Sequence, residues 1–303
     1  MIGINNLKSH ALVVTLFALI SFAYFSPLLE GKRIDGHDVK TWIGMSKEIS
    51  DHREKTGEEA LWTNSIFSGM PAYQISVKYS NLIKYIDKAI SFGFPRPANL
   101  LFLYLLGFYL LLVSLNIDYR IAALGAFAYA FSSYFFIIIQ AGHMTKAHAI
   151  AYLPMVVAAV LYTYRGKMLL GGVLTSLAVA LQIFTNHYQI TYYLILILLF
   201  VGFTQFYKDF KGKTLPSFFK KTGVLFLAAF LAAGTSYTRL KTTIDYGKET
   251  TRGKSELTNN IDNKTKGLDK DYATQWSYGV AESMTLLIPN FHGGSSMSSV
   301  LSI

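Results

Sequence analysis

The chain has 303 residues and a formal net charge of +10, yet 52% of its residues are hydrophobic and only 15% are charged. A soluble domain of this length needs more charged surface, so this composition, with a mean hydropathy of +0.33, excludes an ordinary soluble globular protein. The chain has no cysteine, which excludes disulfides, thiolate metal sites and cysteine nucleophiles. Its 20 tyrosines and 3 tryptophans suit membrane–water interfaces, where one end of the ring is wet.

Seven apolar runs have about the length that a helix needs to cross the hydrocarbon core of a bilayer, which is about 20 residues. They predict an all-α membrane protein whose transmembrane domain covers residues 1–238, with a long first external loop at 30–98 and an external C-terminal segment at 239–303. The predicted spans are residues 11–29, 99–115, 121–142, 148–164, 168–185, 188–207 and 222–237.

The positions of lysine and arginine predict the orientation of these spans, because cytoplasmic loops carry an excess of both. With the N-terminus in the cytoplasm, the cytoplasmic segments hold nine cations against two acids, Asp118 and Asp209, and the two short external loops hold one cation, Lys146. The chain is therefore predicted to be a multi-pass inner-membrane protein with a cytoplasmic N-terminus and an external C-terminal segment. No concentrated basic face remains for a nucleic acid partner. The nine cations are Lys8, Arg120, Arg165, Lys167, Lys208, Lys211, Lys213, Lys220 and Lys221.

Two amphipathic helices are predicted in the first external loop, both lying on the membrane surface in the manner of interfacial helices. The first covers Val39–Lys55, where Trp42, Met45 and Ile49 recur at helical spacing, and Gly57 is a plausible stop. The second covers 81–92. The loop is thus a structured element and not a simple connector.

Asp35 and Asp38 follow the first span within ten residues, which keeps both near the outer membrane surface. A carboxylate in this position can act as the general base that deprotonates a hydroxyl attacking a sugar. It could instead hold a divalent cation that neutralises a phosphate leaving group. The structural alternative is that Asp35 forms a turn with Gly36 and that Asp38 caps a helix starting at Val39.

A short external turn between two apolar spans carries His143, Lys146 and His148. Polar groups are expensive there unless they face water or a cavity, and a lysine beside imidazoles could hold a phosphate. The alternative is that Lys146 reaches lipid headgroups and that His148 is a hydrogen-bonded interfacial residue.

The next external turn carries Asn186, His187 and Gln189. Tight connections place the flanking helices side by side, so this turn and the preceding one could converge on one patch beneath the Asp35–Asp38 segment. The alternative for Asn186 and His187 is ordinary turn chemistry.

The order and spacing of five short motifs resemble the YfhO family of bacterial membrane proteins in its Bacteroidetes-type form, over essentially the whole chain. Each motif alone is weakly specific. They are Gly36-His37-Asp38, Trp62-Thr63-Asn64 with Gly69-Met70-Pro71-Ala72-Tyr73-Gln74, Gly142-His143-Met144-Thr145-Lys146, Asn186-His187-Tyr188-Gln189, and Ala273-Thr274-Gln275-Trp276-Ser277-Tyr278-Gly279.

That family is similar to the GT-C superfamily of membrane glycosyltransferases, which typically take a sugar from a polyprenyl-phosphate donor on the outer face. The resemblance implies that Asp38 is the family's catalytic acidic residue, with Asp35 beside it, and that a cell-envelope polymer or lipid is the acceptor. It also implies a phosphate-binding group that includes His37, His143, Lys146, Asn186, His187 and Gln189. Members of the family are longer, so the chain is expected to be an N-terminal fragment or a form that has lost the C-terminal part.

Two other functions remain open from the residues. The first is a transporter or flippase of lipid-linked sugars, although the predicted spans lack interior acids and bases and paired Gly or Pro breaks. The second is a non-catalytic membrane subunit that assembles an envelope complex.

Overall fold

The protein is all-α in a computed structural model that describes residues 4–34 and 36–250 and, in the tail, residues 271, 274, 275, 277, 279–288, 291 and 292. Short 3-10 turns follow the first helix and the hairpin, and a two-residue strand pair, β1 (Trp62–Thr63) and β2 (Met70–Pro71), forms that hairpin. The helices of the described part are α1 (Ile4–Tyr24), α2 (His37–Thr56), α3 (Ile83–Ile90), α4 (Ala98–Ser114), α5 (Tyr119–Ala130), α6 (Ser133–Gln140), α7 (Met144–Tyr164), α8 (Met168–Phe184), α9 (Tyr188–Lys211), α10 (Leu215–Gly234) and α11 (Tyr237–Gly247).

Four helices of the described part are long and apolar enough to cross a membrane, namely α1, α7, α9 and α10. The pair α5 and α6 makes a fifth crossing if the two are one bent span, since their axes differ by 46°. Helices α4 and α8 are apolar but have only 17 residues each. The prediction of an all-α membrane protein is confirmed, whereas the count of seven spans stays a prediction.

Three of the predicted apolar runs differ in their bounds from the helices of the structure. The run at 121–142 is not one helix, because the chain breaks between Ala130 and Ser133. Helix α7 begins at Met144, so Lys146 and His148 lie in its first two turns and not in the preceding turn. Helix α10 begins at Leu215 and ends at Gly234, earlier than the predicted run at both ends. An apolar run does not by itself locate the ends of a helix, because polar residues can occupy its first and last turns.

One compact unit comprises Met1–Asp38 and Asn81–Ser236, and its core is formed mainly by α4, α7 and α8. Helix α7 is the most enclosed of these, since 15 of its 21 residues are buried. Small residues let the helices approach closely, as expected for packing in lipid. A Cβ on Gly107 of α4 would lie 2.6 Å from the carbonyl oxygen of Ala151 on α7. The α4–α7 contact therefore requires glycine at this position.

Gly171 makes the closest helix contact of this kind between α7 and α8, and its replacement by alanine should lower the melting temperature. An added Cβ would lie 2.4 Å from Oγ1 and 2.7 Å from Cα of Thr163, so the backbones must move apart. Gly223→Ala is the matched control, because a Cβ at this helical glycine meets nothing within 4 Å. Removing a helical glycine there should be neutral or slightly stabilising. Thermal unfolding in detergent measures both, and equal melting temperatures would contradict the close contact.

The second unit comprises Val39–Ser80 and Tyr237–Ile303, of which the described part is a small polar fold around α2. Glu48 of α2 accepts hydrogen bonds from the Thr63 hydroxyl and from the backbone N–H groups of Asn64 and Ser65, at 3.0 Å each for the two backbone donors. These bonds hold the pKa of Glu48 below its ordinary value. The predicted helix at Val39–Lys55 is confirmed, and Gly57 ends it at a φ of 76°.

Two further contacts fix the loop that follows α2. Arg53 and Glu59 form a bidentate pair, with Nε to Oε1 at 2.5 Å and Nη2 to Oε2 at 2.8 Å. The Trp62 ring packs against Gly69: a Cβ on Gly69 would lie only 2.9 Å from Cζ2 of that ring. The quoted motifs Trp62-Thr63-Asn64 and Gly69–Gln74 therefore form one packed hairpin, which gives them a structural role.

The polar tail contains a helix that the sequence pattern did not predict. Helix α11 covers Tyr237–Gly247 and is supported by the pair of Lys241 Nζ and Asp245 Oδ2, 2.6 Å apart at i,i+4 spacing. Its Tyr246 ring contacts Tyr73 edge-on, with ring centroids 6.4 Å apart. Residues 273, 276 and 278 of the motif at 273–279 lie outside the described residues. The bounds of the two compact units differ from the transmembrane domain predicted for 1–238, because 39–80 groups with 237–303.

Candidate active site at the start of α7

Two glycine backbones bring the Asp38 segment to the turn before α7. A Cβ on Gly36 would lie 3.2 Å from Cα of Gly142 and 3.3 Å from the carbonyl oxygen of Gln140. Gly142 itself has a φ of 91°, a left-handed conformation that glycine adopts readily. This close approach places Asp38 beside His143, with Oδ2 of the carboxylate 2.9 Å from Nδ1 of the imidazole. The Gly36-His37-Asp38 and Gly142-His143 motifs are therefore parts of one contact.

Asp38 is not the residue that precedes α2, because the helix begins at His37 and Asp38 lies in its first turn. The predicted alternative, in which Asp38 caps a helix starting at Val39, is therefore wrong. An acidic residue in a first turn still interacts favourably with the helix dipole. The side chains of Asp38 and His143 are 47% and 48% exposed, so an external molecule can reach both.

His187 lies close enough to Lys146 and His143 for their charges to affect its pKa. Burial and then the charge of Lys146 lower the pKa of His187, with a smaller contribution from His143. The ammonium group of Lys146 lies 5.3 Å from the centre of the Tyr134 ring, in a cation–π contact. Asp38, His143, Lys146 and His187 thus lie in one region at the start of α7, and we call them the α7 polar cluster.

Asn186 and Gln189 have structural contacts instead. Asn186 has a φ of 61°, a left-handed conformation that asparagine tolerates better than most residues, so it forms the turn after α8. Gln189 donates to the hydroxyl of Tyr193 one turn along α9, at 2.7 Å. His187 also has a local role, since its Nδ1 accepts from the Ile190 N–H at 3.4 Å.

The remaining predicted site residues cannot be placed in the cluster. Asp35 and the side chain of His37 lie outside the described residues. Within the described part of the chain, no group of three or more His, Asp or Glu side chains could hold a metal ion. A divalent cation on Asp35 and Asp38 stays a prediction.

A second polar network, not predicted from the sequence, lies where α3 meets α7. Oδ1 of Asp87 accepts from the Tyr152 hydroxyl at 2.6 Å and lies 2.7 Å from Nε2 of His148. The imidazole is not oriented for a hydrogen bond to this carboxylate, so the two groups are in close contact without one. Arg96 lies on the other side of the ring, with Nη2 3.5 Å from Nδ1. We call Asp87, Arg96, His148 and Tyr152 the α3–α7 network.

The α3–α7 network keeps its carboxylate ionised although it lies in a protein interior. Burial alone would raise the pKa of Asp87, but His148, Tyr152 and Arg96 outweigh burial and hold that pKa below its ordinary value. His148 is only 3% exposed. The prediction that His148 belongs with Lys146 in an exposed turn is wrong, because α7 carries His148 into the core. The sequence did offer one indication of this network, because Asp87 is the single acidic residue in the predicted amphipathic helix at 81–92.

No protein-family model, no curated protein and no solved structure matches this chain. Its class therefore rests on its own helices: four apolar helices of membrane-crossing length in the described part, packed through glycine contacts, define a helical membrane protein.

Proposed function

We propose that this protein is a GT-C-like membrane glycosyltransferase, or the membrane module of one, which moves a sugar from a polyprenyl-phosphate donor to a cell-envelope acceptor on the outer face. The resemblance of its motifs to the YfhO family motivates this proposal. The observation that carries it is the half-exposed pair of Asp38 and His143, 2.9 Å apart, with Lys146 and His187 nearby.

The chemistry requires a base near the membrane surface and cations for a leaving phosphate. The acceptor hydroxyl gives its proton to the Asp38 carboxylate as its oxygen bonds to the anomeric carbon of the sugar. The bond from that carbon to the phosphate oxygen breaks, and the electron pair leaves with the polyprenyl phosphate. The imidazole of His143, whose Nδ1 lies 2.9 Å from Oδ2 of Asp38, is placed to orient the base. Lys146 and His187 are suited to hold the developing phosphate charge.

The proposal includes seven crossings: α1, α4, the bent pair α5–α6, α7, α8, α9 and α10. With a cytoplasmic N-terminus, the residues after α1, after α6 and after α8 are all external. These are the three segments that carry Asp38, His143 and His187. The charge asymmetry of the loops supports this orientation. In this orientation, a lipid-linked donor can reach the site from the outer leaflet.

Thiol labelling tests the orientation, and the cysteine-free chain is already a suitable background. A cysteine at Asp51 on α2 should react with a membrane-impermeant thiol reagent in cells whose outer membrane has been opened. A cysteine at Lys213, between α9 and α10, should react only after the inner membrane is also permeabilised. Lys213 is exposed and the Asp51 side chain is 44% exposed, so a reagent can reach either position from the solvent. Labelling at Lys213 alone would reverse the orientation and remove the outer-face site.

A transporter of lipid-linked sugars is the second candidate, and the break between α5 and α6 favours it. Discontinuous helices and buried ionisable groups mark the substrate sites of many transporters. The 46° bend and the buried contact of Asp87 and His148 are features of this type. A non-catalytic assembly subunit has no specific observation in its favour.

Reconstitution separates the two candidates. The full-length protein in proteoliposomes receives a polyprenyl-phosphate-linked sugar, and both the cleavage of the sugar–phosphate bond and the movement of intact donor between leaflets are measured. A glycosyltransferase releases polyprenyl phosphate and transfers the sugar to an added envelope acceptor. Movement of the donor with its bond intact would support the transporter instead.

A further inference from the structure

The segment that joins α9 to α10 carries five lysines within 14 residues. They lie in the last turn of α9, in the connecting turn and in the first two turns of α10. Asp209 is the one acid of this segment, which therefore has a net charge of +4. Four of the lysines are exposed, and Lys221 is half-buried. The lysine cluster, as we call this group, consists of Lys208, Lys211, Lys213, Lys220 and Lys221.

The one carboxylate among these lysines is already satisfied within the turn. Asp209 is buried, its Oδ2 accepts from Nε2 of Gln205, and its Oδ1 accepts from the Thr214 hydroxyl, at 2.7 Å each. Lys221 and Lys208 lie near enough for their charges to act on this carboxylate. Within the part of the chain that the structure describes, however, no lysine of the cluster forms an ion pair. The ammonium groups therefore remain available to an external anion.

Exposed aromatic rings lie beside the lysine cluster. Phe203, Tyr207 and Phe210 recur along α9 at spacings of four and three residues, so they share one face of the helix, and each ring is more than half exposed. The ammonium group of Lys211 lies 4.8 Å from the centre of the Tyr207 ring. The apolar face continues along α9 through Phe200, which is also exposed. The lysines thus lie at the end of a helix face that fits lipid chains.

The length of α9 brings its lysines to the level of lipid headgroups. Its 24 residues correspond to about 36 Å of helix, whereas the hydrocarbon core of a bilayer is about 30 Å thick. When α9 crosses that core, its last turn, with Lys208 and Lys211, extends into the headgroup layer. Lys220 and Lys221 lie in the second turn of α10. Because side chains on a helix point toward its N-terminus, these two extend toward the same layer.

We propose that the lysine cluster binds anionic phospholipids of the bilayer, which act as its solvent and not as reactants. The ammonium groups hold the headgroup phosphates, and the acyl chains lie along the aromatic face of α9. Lysines beside a transmembrane helix are attracted to an anionic leaflet in this way. A nucleic acid fits the same charge, but it would leave the adjoining apolar face of α9 without a partner. The site is independent of the proposed function, because it lies at the opposite end of α9 from His187.

Quenching of a fluorescent label at each end of α9 tests this site in the full-length protein. Bimane is attached to a single cysteine, either at Phe210 beside the lysine cluster or at Tyr192 near the other end, and both positions are exposed. The phosphatidylcholine vesicles contain either nitroxide-labelled phosphatidylglycerol or nitroxide-labelled phosphatidylcholine. The ratio of the two quenching efficiencies measures the local preference for the anionic lipid. It should be about fivefold or more at Phe210, the effect of one lysine near the surface, and near one at Tyr192.

Removing charge from the cluster should remove this preference. Lys208→Gln/Lys211→Gln should lower the ratio at Phe210 to about twofold or less. The melting temperature should barely change, because both lysines are exposed. The corresponding double arginine variant keeps the charge and should keep the ratio. Lys47→Gln/Lys55→Gln is the matched control, because it removes the same charge from exposed positions on α2, and it should leave the ratio unchanged.

Salt and competition complete the test. Raising the ionic strength to about 1 M shortens the screening length to about 3 Å and should reduce the wild-type ratio at Phe210. Equal ratios at Phe210 and Tyr192 would overturn the proposal, as would a ratio that Lys208→Gln/Lys211→Gln leaves unchanged. An equal fall in the α2 control would also overturn it, because the preference would then reflect net charge and not this surface. Displacement of the labelled phosphatidylglycerol by a single-stranded oligonucleotide would assign the cluster to a nucleic acid instead.

Discussion

Replacing Asp38 by asparagine should reduce sugar transfer by about 10²–10⁴-fold, the usual contribution of a general base. Asparagine keeps the size of the side chain, so it can occupy the same position 2.9 Å from the His143 imidazole. It cannot take the proton of the acceptor hydroxyl. The lost charge in the first turn of α2 should change stability by only about 0.3–1 kcal/mol. Transfer measured at matched amounts of membrane-inserted protein isolates the chemistry.

Asp51→Asn is the matched control for this variant. Asp51 also lies on α2 and is exposed, and it pairs with Lys47 at i,i+4 spacing, a contact of little energetic consequence. It should transfer sugar at the wild-type rate. Asp35→Asn should have a milder effect than Asp38→Asn if Asp35 only shapes the turn. Full activity in Asp38→Asn would exclude the general base and favour the transporter or the assembly subunit.

Replacing Asp87 by asparagine should destabilise the membrane unit by about 2–3 kcal/mol, because it leaves His148 and Arg96 without their anion in a largely enclosed position. The Asp87 side chain is 18% exposed, which keeps the effect below that of a fully buried pair. Asp51→Asn again serves as the control and should barely change the melting temperature. Thermal unfolding in detergent at neutral pH provides the measurement. Equal melting temperatures for the two variants would show that the α3–α7 network contributes no stability.

The stability that Asp87 contributes through this network should decrease at acidic pH. The pKa of Asp87 in the folded protein lies below its ordinary value, which is near 3.9 for an unfolded chain. Its stabilising contribution is therefore complete above about pH 4 and is lost as the pH falls through the folded value. Wild-type protein should lose its excess stability over Asp87→Asn in that acidic range. A stability difference that stays constant down to pH 3 would contradict the ionised carboxylate.

The residues of the candidate site could be named from the sequence, but their mutual arrangement could not. Asp38, His143, Lys146 and His187 stand out because each is a polar residue beside an apolar run. Asn186 and Gln189 have the same pattern, yet one forms a left-handed turn and the other bonds to Tyr193. The difference depends on backbone conformation and side-chain direction at each position, which composition does not encode. Asp87 and Arg96 are isolated charged residues near a predicted span, and their positions in the sequence do not indicate that they form a network.

The sequence by itself determined that the chain is a helical membrane protein and where its amphipathic helix α2 ends, because both follow from local patterns. A run of apolar residues needs no distant partner to favour lipid, and Gly57 stops a helix through its own backbone freedom. Only the tertiary structure decided the break between α5 and α6, the Gly36–Gly142 contact and the α3–α7 network. Each of these joins segments that are distant in the chain or depends on how neighbouring helices pack. Their geometry comes from the fit of helix faces, which a single segment does not contain.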